Sequence, residues 1–219
     1  TGTKANAVLD IPYKEERLNN NLIFSGIFNS TSGFNQLNQF IQAEAITKTL
    51  DPQSGPIQKL FARETDLLAL CEDKIVKILA DKDAIYNANG NAQLTASNNV
   101  LGQAIIPSSF GMFGIGKHPE SFASYGYRAY FTDGLRGKVL RLSADGVTPI
   151  SDYGMGDFFQ DNLPLNNKII GFYDNSNGDY NVSLKSLDSE SSAKYGDSTT
   201  VSFDEAVNGW VSRKSYIPE

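Results

Sequence analysis

The sequence predicts an all-β protein, mainly antiparallel. Three observations carry that expectation: tight-turn dipeptides recur along the chain, short strand-forming runs lie between them, and one hairpin plan returns more than once. Of 219 residues, 40% are hydrophobic and 11% aromatic, including thirteen Phe and ten Tyr, enough apolar matter for a packed core. Many of the nineteen glycines fall in Asn-Gly, Asp-Gly and Ser-Gly steps, the chemistry of tight turns.

Residues 1–56 read as an irregular or mixed N-terminal segment. Lys14 to Phe24 has a short helical pattern, weakened by Asn19-Asn20-Asn21, whose side chains compete for backbone groups. Gln36 to Ile46 has a second, with Leu37, Phe40, Ile41 and Ala45 on one face. Asp51-Pro52-Gln53-Ser54-Gly55-Pro56 then punctuates the chain and marks a boundary.

From residue 57 the pattern is strands. Ile57 to Ala62, Leu67 to Cys71 and Lys74 to Leu79 are β-type runs, the last two forming a hairpin about Glu72-Asp73. Asn87 to Asn99 is Asn-rich and reads as a surface loop or hairpin tip, and Gln103 to Ile106 as a strand ended by Pro107.

The repeated plan is an aromatic strand, an Asp, a Gly four positions on, and a returning strand. Its first copy runs Tyr130-Phe131-Thr132-Asp133 to Gly137 and Lys138–Leu142; its second runs Gly171-Phe172-Tyr173-Asp174 to Gly178 and Asp179–Leu184. A looser third copy, Ser202-Phe203-Asp204 to Gly209-Trp210-Val211, has the spacing stretched to five. Asp accepts backbone N–H groups in such a turn and Gly supplies the positive φ. In the first copy, Val139 and Arg141 are expected on one face of the returning strand, Leu140 and Leu142 on the other.

Asp133 and Asp174 are 41 residues apart, close to the roughly 40–50 residues of a four-stranded propeller blade. Asp204 follows after 30, too short for a full blade, a spacing that fits a second hairpin of the same blade or the start of a truncated one. Residues 57–219 are therefore expected to form part of a β-propeller, a sandwich of irregular hairpins being the alternative. So few units do not close a ring. With neither a signal peptide nor an initiator Met, and ends at Thr1 and Glu219, the chain reads as a segment of a longer polypeptide.

The net charge of −6 and pI near 4.9 argue against tight nucleic-acid binding, while an acidic wall past which nucleic acid slides remains compatible. No apolar run approaches the roughly 18–20 residues of a membrane span. Cys71, the sole cysteine, sits in an apolar run and reads as a buried structural thiol. His118 is the sole histidine, which excludes a multi-His metal site within one chain.

Candidate chemical motifs have plainer readings. Gly111-Met112-Phe113-Gly114-Ile115-Gly116-Lys117-His118 approaches a phosphate loop, but His stands where Ser or Thr would hold magnesium and Pro119 follows at once; it reads as a flexible Gly-rich link. Asp174 to Asp179 is oxygen-rich without calcium-loop spacing, and Ser143-Ala144-Asp145-Gly146 faintly resembles the Asp box of sialidase propellers; both read as turns. Asp157, Asp161, Asp204 and Glu205 are available for acid–base chemistry, but nothing converges them. Trp210 with Tyr216 suits sugar stacking, although a Trp in a blade is more often core. No catalytic residue, cofactor site or metal site is assigned, and the chain reads as a non-enzyme.

Several stretches resemble a known family. Tyr127-Arg128-Ala129-Tyr130-Phe131-Thr132-Asp133 with Arg136-Gly137-Lys138-Val139-Leu140-Arg141-Leu142-Ser143, Ile150-Ser151-Asp152-Tyr153-Gly154-Met155, and Ser202-Phe203-Asp204-Glu205 with Gly209-Trp210 and Ser215–Glu219 are similar to the tail nozzle, or muzzle, proteins of crAss-like podoviruses. The resemblance spans residues 57–219. It implies a propeller-containing virion subunit in a ring of itself and other tail proteins, gating genome exit, with DNA passing transiently and without specific binding. These tail proteins are much longer than 219 residues. The alternative is a carbohydrate-binding or glycan-degrading propeller module.

Overall fold

A computed structural model of the chain describes residues 17–26, 28–29, 33–40, 46–63, 66–79, 84–86, 92–94, 101, 103–166, 168–185, 199–216 and 218. Before residue 57 the strands are short: β1 (Asn21–Ile23), β2 (Phe28–Asn29), β3 (Phe34–Asn35) and β4 (Thr47–Thr49). β1 pairs with β4 and β2 with β3, both antiparallel. The two helices expected here are corrected. Asn21–Ile23 is strand, and residues 36–40 form turns and irregular chain; residues 14–16 and 41–45 lie outside the described ones. The Asn residues supply the physical reason. The Asn20 side chain donates to the Leu50 carbonyl at 2.8 Å, and the Asn19 carbonyl accepts from the Ile57 N–H at 3.0 Å. Those bonds hold the chain out of a helix.

The rest of the chain builds three four-stranded antiparallel sheets. The first contains β5 (Ile57–Ala62), β6 (Asp66–Cys71), β7 (Ile75–Leu79) and β10 (Ala104–Ile105), in the order β10-β7-β6-β5. The ladder of β8 (Ala84–Tyr86) with β9 (Ala92–Leu94) interrupts it, which fits the hairpin expected across the Asn-rich stretch; the tip itself is not among the described residues. The middle sheet is β11 (Ala123–Tyr125), β12 (Arg128–Asp133), β13 (Lys138–Ser143) and β14 (Gly146–Pro149), each strand beside its chain neighbour. After the short helix α1 (Gly156–Asn162) comes the last sheet, β15 (Lys168–Asp174), β16 (Asp179–Lys185), β17 (Thr199–Asp204) and β18 (Gly209–Lys214), again in chain order. The protein is mainly antiparallel β, as expected, and none of these sheets closes on itself.

Alternation along the strands decides how the sheets stack. On β12 and β13, Ala129, Phe131, Leu140 and Leu142 face the first sheet and bury against Leu68, Leu70 and Ile75. Tyr130 and Val139 face the last sheet, where they meet Ile169, Tyr180, Val182, Val201 and Phe203. The expected division of Val139 from Leu140 and Leu142 is therefore found. The far face of the first sheet, with Ala69, Cys71, Val76 and Ile78, is covered by Leu22 and Leu50, so residues on both sides of the 51–56 turn share one cluster. The middle sheet is covered on both faces.

The repeated turns share one construction. Asp133 Oδ1 accepts from the N–H groups of Leu135 and Arg136, Asp174 Oδ1 from Ser176, and Asp204 Oδ1 from Ala206. Gly137 (φ 62°) and Gly178 (φ 77°) take the left-handed position four residues after the Asp. In the third turn that position belongs to Asn208 (φ 53°), and Gly209 already pairs with Asp204 as strand. The spacing is thus four in all three, with Asn replacing Gly in a conformation it tolerates. The 41-residue step, however, is not a sheet-to-sheet period. The Asp133 turn joins the second and third strands of its sheet, whereas the Asp174 turn joins a first and a second. The Asp174 and Asp204 hairpins belong to one sheet, the first of the two readings that the 30-residue step left open.

Candidate functional site

Two places gather polar chemistry, both near the edge of the middle sheet where β11 turns into β12. The first lies on the side of the last sheet. Glu205, in the β17–β18 turn, accepts from the Tyr130 hydroxyl at 2.6 Å and from Arg141 Nη1 at 2.7 Å, and pairs with Arg128 Nη1 at 3.2 Å. The sequence held no sign of this constellation, because its members are 64 to 77 positions from Glu205 and are joined only by sheet stacking. Beside it runs a ladder of tyrosine rings. Tyr125 stacks on Tyr173 (4.2 Å between centroids), Tyr173 on Tyr130 (5.8 Å) and Tyr130 on Tyr180 (4.8 Å). The buried Tyr180 hydroxyl donates to the Ser121 carbonyl at 2.7 Å. Burial pushes the Tyr130 phenol well above its ordinary value, and the Glu205 carboxylate adds to the rise. Tyr180 is pushed up likewise, burial being the main cause. Tyr130 is fully buried and keeps its proton, donating it in a hydrogen bond to the Glu205 carboxylate, so this pair holds two sheets together.

The second place is a cleft of about 730 Å³ on the side of the first sheet, lined by Phe61, Arg63, Asp66, Lys77, Ser124 and Tyr127 among others. Asp66 is buried and holds two cations: Arg63 Nε and Nη2 each at 2.7 Å, and Lys77 Nζ at 2.9 Å. Burial works against the charged carboxylate, but the Arg63 and Lys77 hydrogen bonds outweigh it and hold Asp66 below the usual carboxylate range. Tyr127 is 68% exposed at the crest of the β11–β12 turn, with the Arg128 guanidinium 5.4 Å from its ring centroid.

The other residues singled out by sequence fall into structural roles. The Gly111–His118 segment is no flexible link. Gly114, Ile115 and Gly116 are buried, and their N–H groups donate to Asp133 Oδ2, the Cys71 carbonyl and the Glu72 carbonyl at 3.0–3.2 Å. The backbone donors that a phosphate would need are therefore taken by the protein, and Lys117 leans toward Glu72 at 3.7 Å. A Cβ at Gly114 would collide with the Glu72 backbone, so this close approach demands Gly. Asp174 is committed to its own turn through Ser176 and Asn177, and Ser143 to Gly146 is the β13–β14 turn.

Asp157 and Asp161 sit exposed on α1. This helix was not anticipated, although Phe159 and Leu163 at helical spacing were its signal. Trp210 turns inward against Phe159 and Phe203, its indole N–H donating to the Ile150 carbonyl at 3.0 Å. Tyr216 lies apart from it, near Phe172 and Lys214. Cys71 is a buried free thiol, raised by desolvation to about 11. Burial lowers the half-buried His118, against a smaller opposing pull from Glu120.

Among the described residues, no group of three or more His, Cys, Asp or Glu is arranged to hold a metal ion, and no helix is long and apolar enough to cross a membrane. No protein-family model matches the chain, and no curated protein matches it either.

Proposed function

We propose that this chain contributes consecutive blades of a β-propeller to a structural subunit of a phage tail nozzle, assembled as a ring around the DNA exit channel. One observation carries the reading. Three four-stranded antiparallel sheets stack face to face in chain order, and none closes on itself. β11 and β15 begin at Ala123 and Lys168, 45 residues apart, within the roughly 40–50 residues of a blade. The stretches that resemble crAss-like nozzle proteins supply the β12–β13 and β17–β18 hairpins and the Tyr130–Glu205 clamp between them. A net charge of −6 suits a wall that DNA passes without sticking. The role is non-catalytic and the site of action is the virion tail, with copies of the same protein and other tail proteins as partners. Mass spectrometry of purified virions should recover peptides of this chain at several copies per particle. Absence of those peptides from intact particles removes the proposal.

A second reading, a carbohydrate-binding or glycan-degrading module, is favoured by the cleft beside Tyr127 and not by Trp210, which is turned inward. Hydrolysis lacks support, since Glu205 is engaged by two arginines and a buried tyrosine.

A further inference from the structure

We propose that the cleft between the first and middle sheets binds a carboxylated sugar unit, of the uronic-acid type. The cleft's charge runs against that of the protein. The chain carries −6 overall, yet the charged residues lining the cleft, among the described ones, are two cations on one acid: Arg63 and Lys77 on Asp66. Among the described residues that cluster keeps one positive charge in surplus. Its carboxylate is only 2% exposed while Arg63 and Lys77 are 25% and 28% exposed, so the acid lies at the base and the cations face outward.

The Tyr127 ring, with the Arg128 guanidinium near it, lines the same cleft together with Phe61 and Ser124. An exposed aromatic face takes the C–H face of a pyranose, and a cation beside it takes a ring carboxylate. A polyanion is the less suitable occupant. A nucleic-acid strand leaves the cleft at both ends and meets the field of the whole acidic protein, whereas a single carboxylate is governed by the local surplus. The inference is independent of the ring reading, since a tail subunit and a free module would present the same cleft.

Titration of the isotope-labelled full chain with D-galacturonate, followed by NMR, tests it, with galactose, acetate and a short oligothymidylate as parallel probes. Galacturonate at millimolar concentration should shift the amide signals of Lys77, Ser124, Gly126 and Tyr127, while galactose and acetate bind several-fold more weakly. Tyr127→Ala should weaken galacturonate about five- to tenfold. Lys77→Gln should weaken it about two- to fivefold, and Asp66 retains both Arg63 hydrogen bonds in that variant. Unchanged amide signals of Leu68, Leu70 and Ile75 in both variants verify that the first sheet is folded. The proposal is overturned if galacturonate leaves those signals unmoved, if acetate or galactose binds as tightly, if both folded variants keep wild-type affinity, or if the oligothymidylate binds there more strongly.

Discussion

The two faces of the middle sheet bury against their neighbours in different ways. Toward the first sheet the seam is hydrocarbon: Leu68, Leu70, Ile75, Phe131, Leu140 and Leu142, with Phe110 and Ile115 closing the rim. Toward the last sheet the core is equally dry, but it is keyed by directional groups: the Tyr130 hydroxyl on Glu205, the Tyr180 hydroxyl on Ser121 and the Trp210 indole on Ile150. Hydrocarbon side chains are held by volume and tolerate exchange, provided the space stays filled. Here the directional ties among the described residues are the backbone N–H groups of Gly114, Ile115 and Gly116 on Asp133, Cys71 and Glu72 at the rim. A keyed seam fixes the relative position of two sheets, because each donor has one acceptor that satisfies it.

The comparison predicts opposite sensitivities. Phe131→Ala should cost most, about 3–5 kcal/mol in urea unfolding, whereas Phe131→Leu should cost far less. An equally large loss for Leu would mean that shape, and not volume, holds the first seam. On the keyed side, Glu205→Ala should cost about 2–3 kcal/mol, since it strands a buried hydroxyl and two guanidinium groups. Tyr130→Phe, which leaves Glu205 both arginines, should cost about 1 kcal/mol, and the double variant should be less than additive. Strict additivity in that cycle breaks the idea of a clamp.

The third expectation concerns alkali. Tyr130 and Tyr180 both have folded-state values raised above the ordinary tyrosine value. Their contribution is therefore fully present below about pH 10, where unfolded tyrosine ionises, and declines as pH rises through the folded values. The hydrocarbon seam contains no tyrosine among its buried residues. Emission of Trp210, the sole tryptophan, should thus shift in alkali before far-UV circular dichroism falls. Simultaneous loss would show that the two seams do not open separately.

Hairpins were legible in the sequence because everything that makes them is local. Asp133, Asp174 and Asp204 bond N–H groups two or three residues away, and the strand that returns is the next one in the chain. Even the apparent irregularity of the third copy was a matter of one residue, Asn208, doing what Gly does elsewhere. Relations between sheets left no such mark. Glu205 read as a loop carboxylate like Asp157, and only stacking brings it to Arg128, Tyr130 and Arg141. The cleft was hidden likewise: Asp66 and Lys77 lie on neighbouring strands of the first sheet, but Tyr127 comes from the middle sheet, and no spacing rule links it to them. The Gly114 segment misled because a glycine needed for close backbone approach looks, in sequence, like one needed for flexibility.

The strand order has a consequence in time as well as in space. In the middle and last sheets every strand pairs with its chain neighbour, over connections of two to thirteen residues, so each sheet forms from contacts close in the chain. A sheet completed as the chain emerges from the ribosome nevertheless holds one apolar face open until the next arrives. For the middle sheet that face carries Tyr130 and Val139, and its cover begins only at Lys168. During that interval it is a surface open to mispairing, and the stretch between the two sheets, which brings Ile150, then Phe159 of α1 and Leu163 to the same cluster, is the first part of the chain able to shield it.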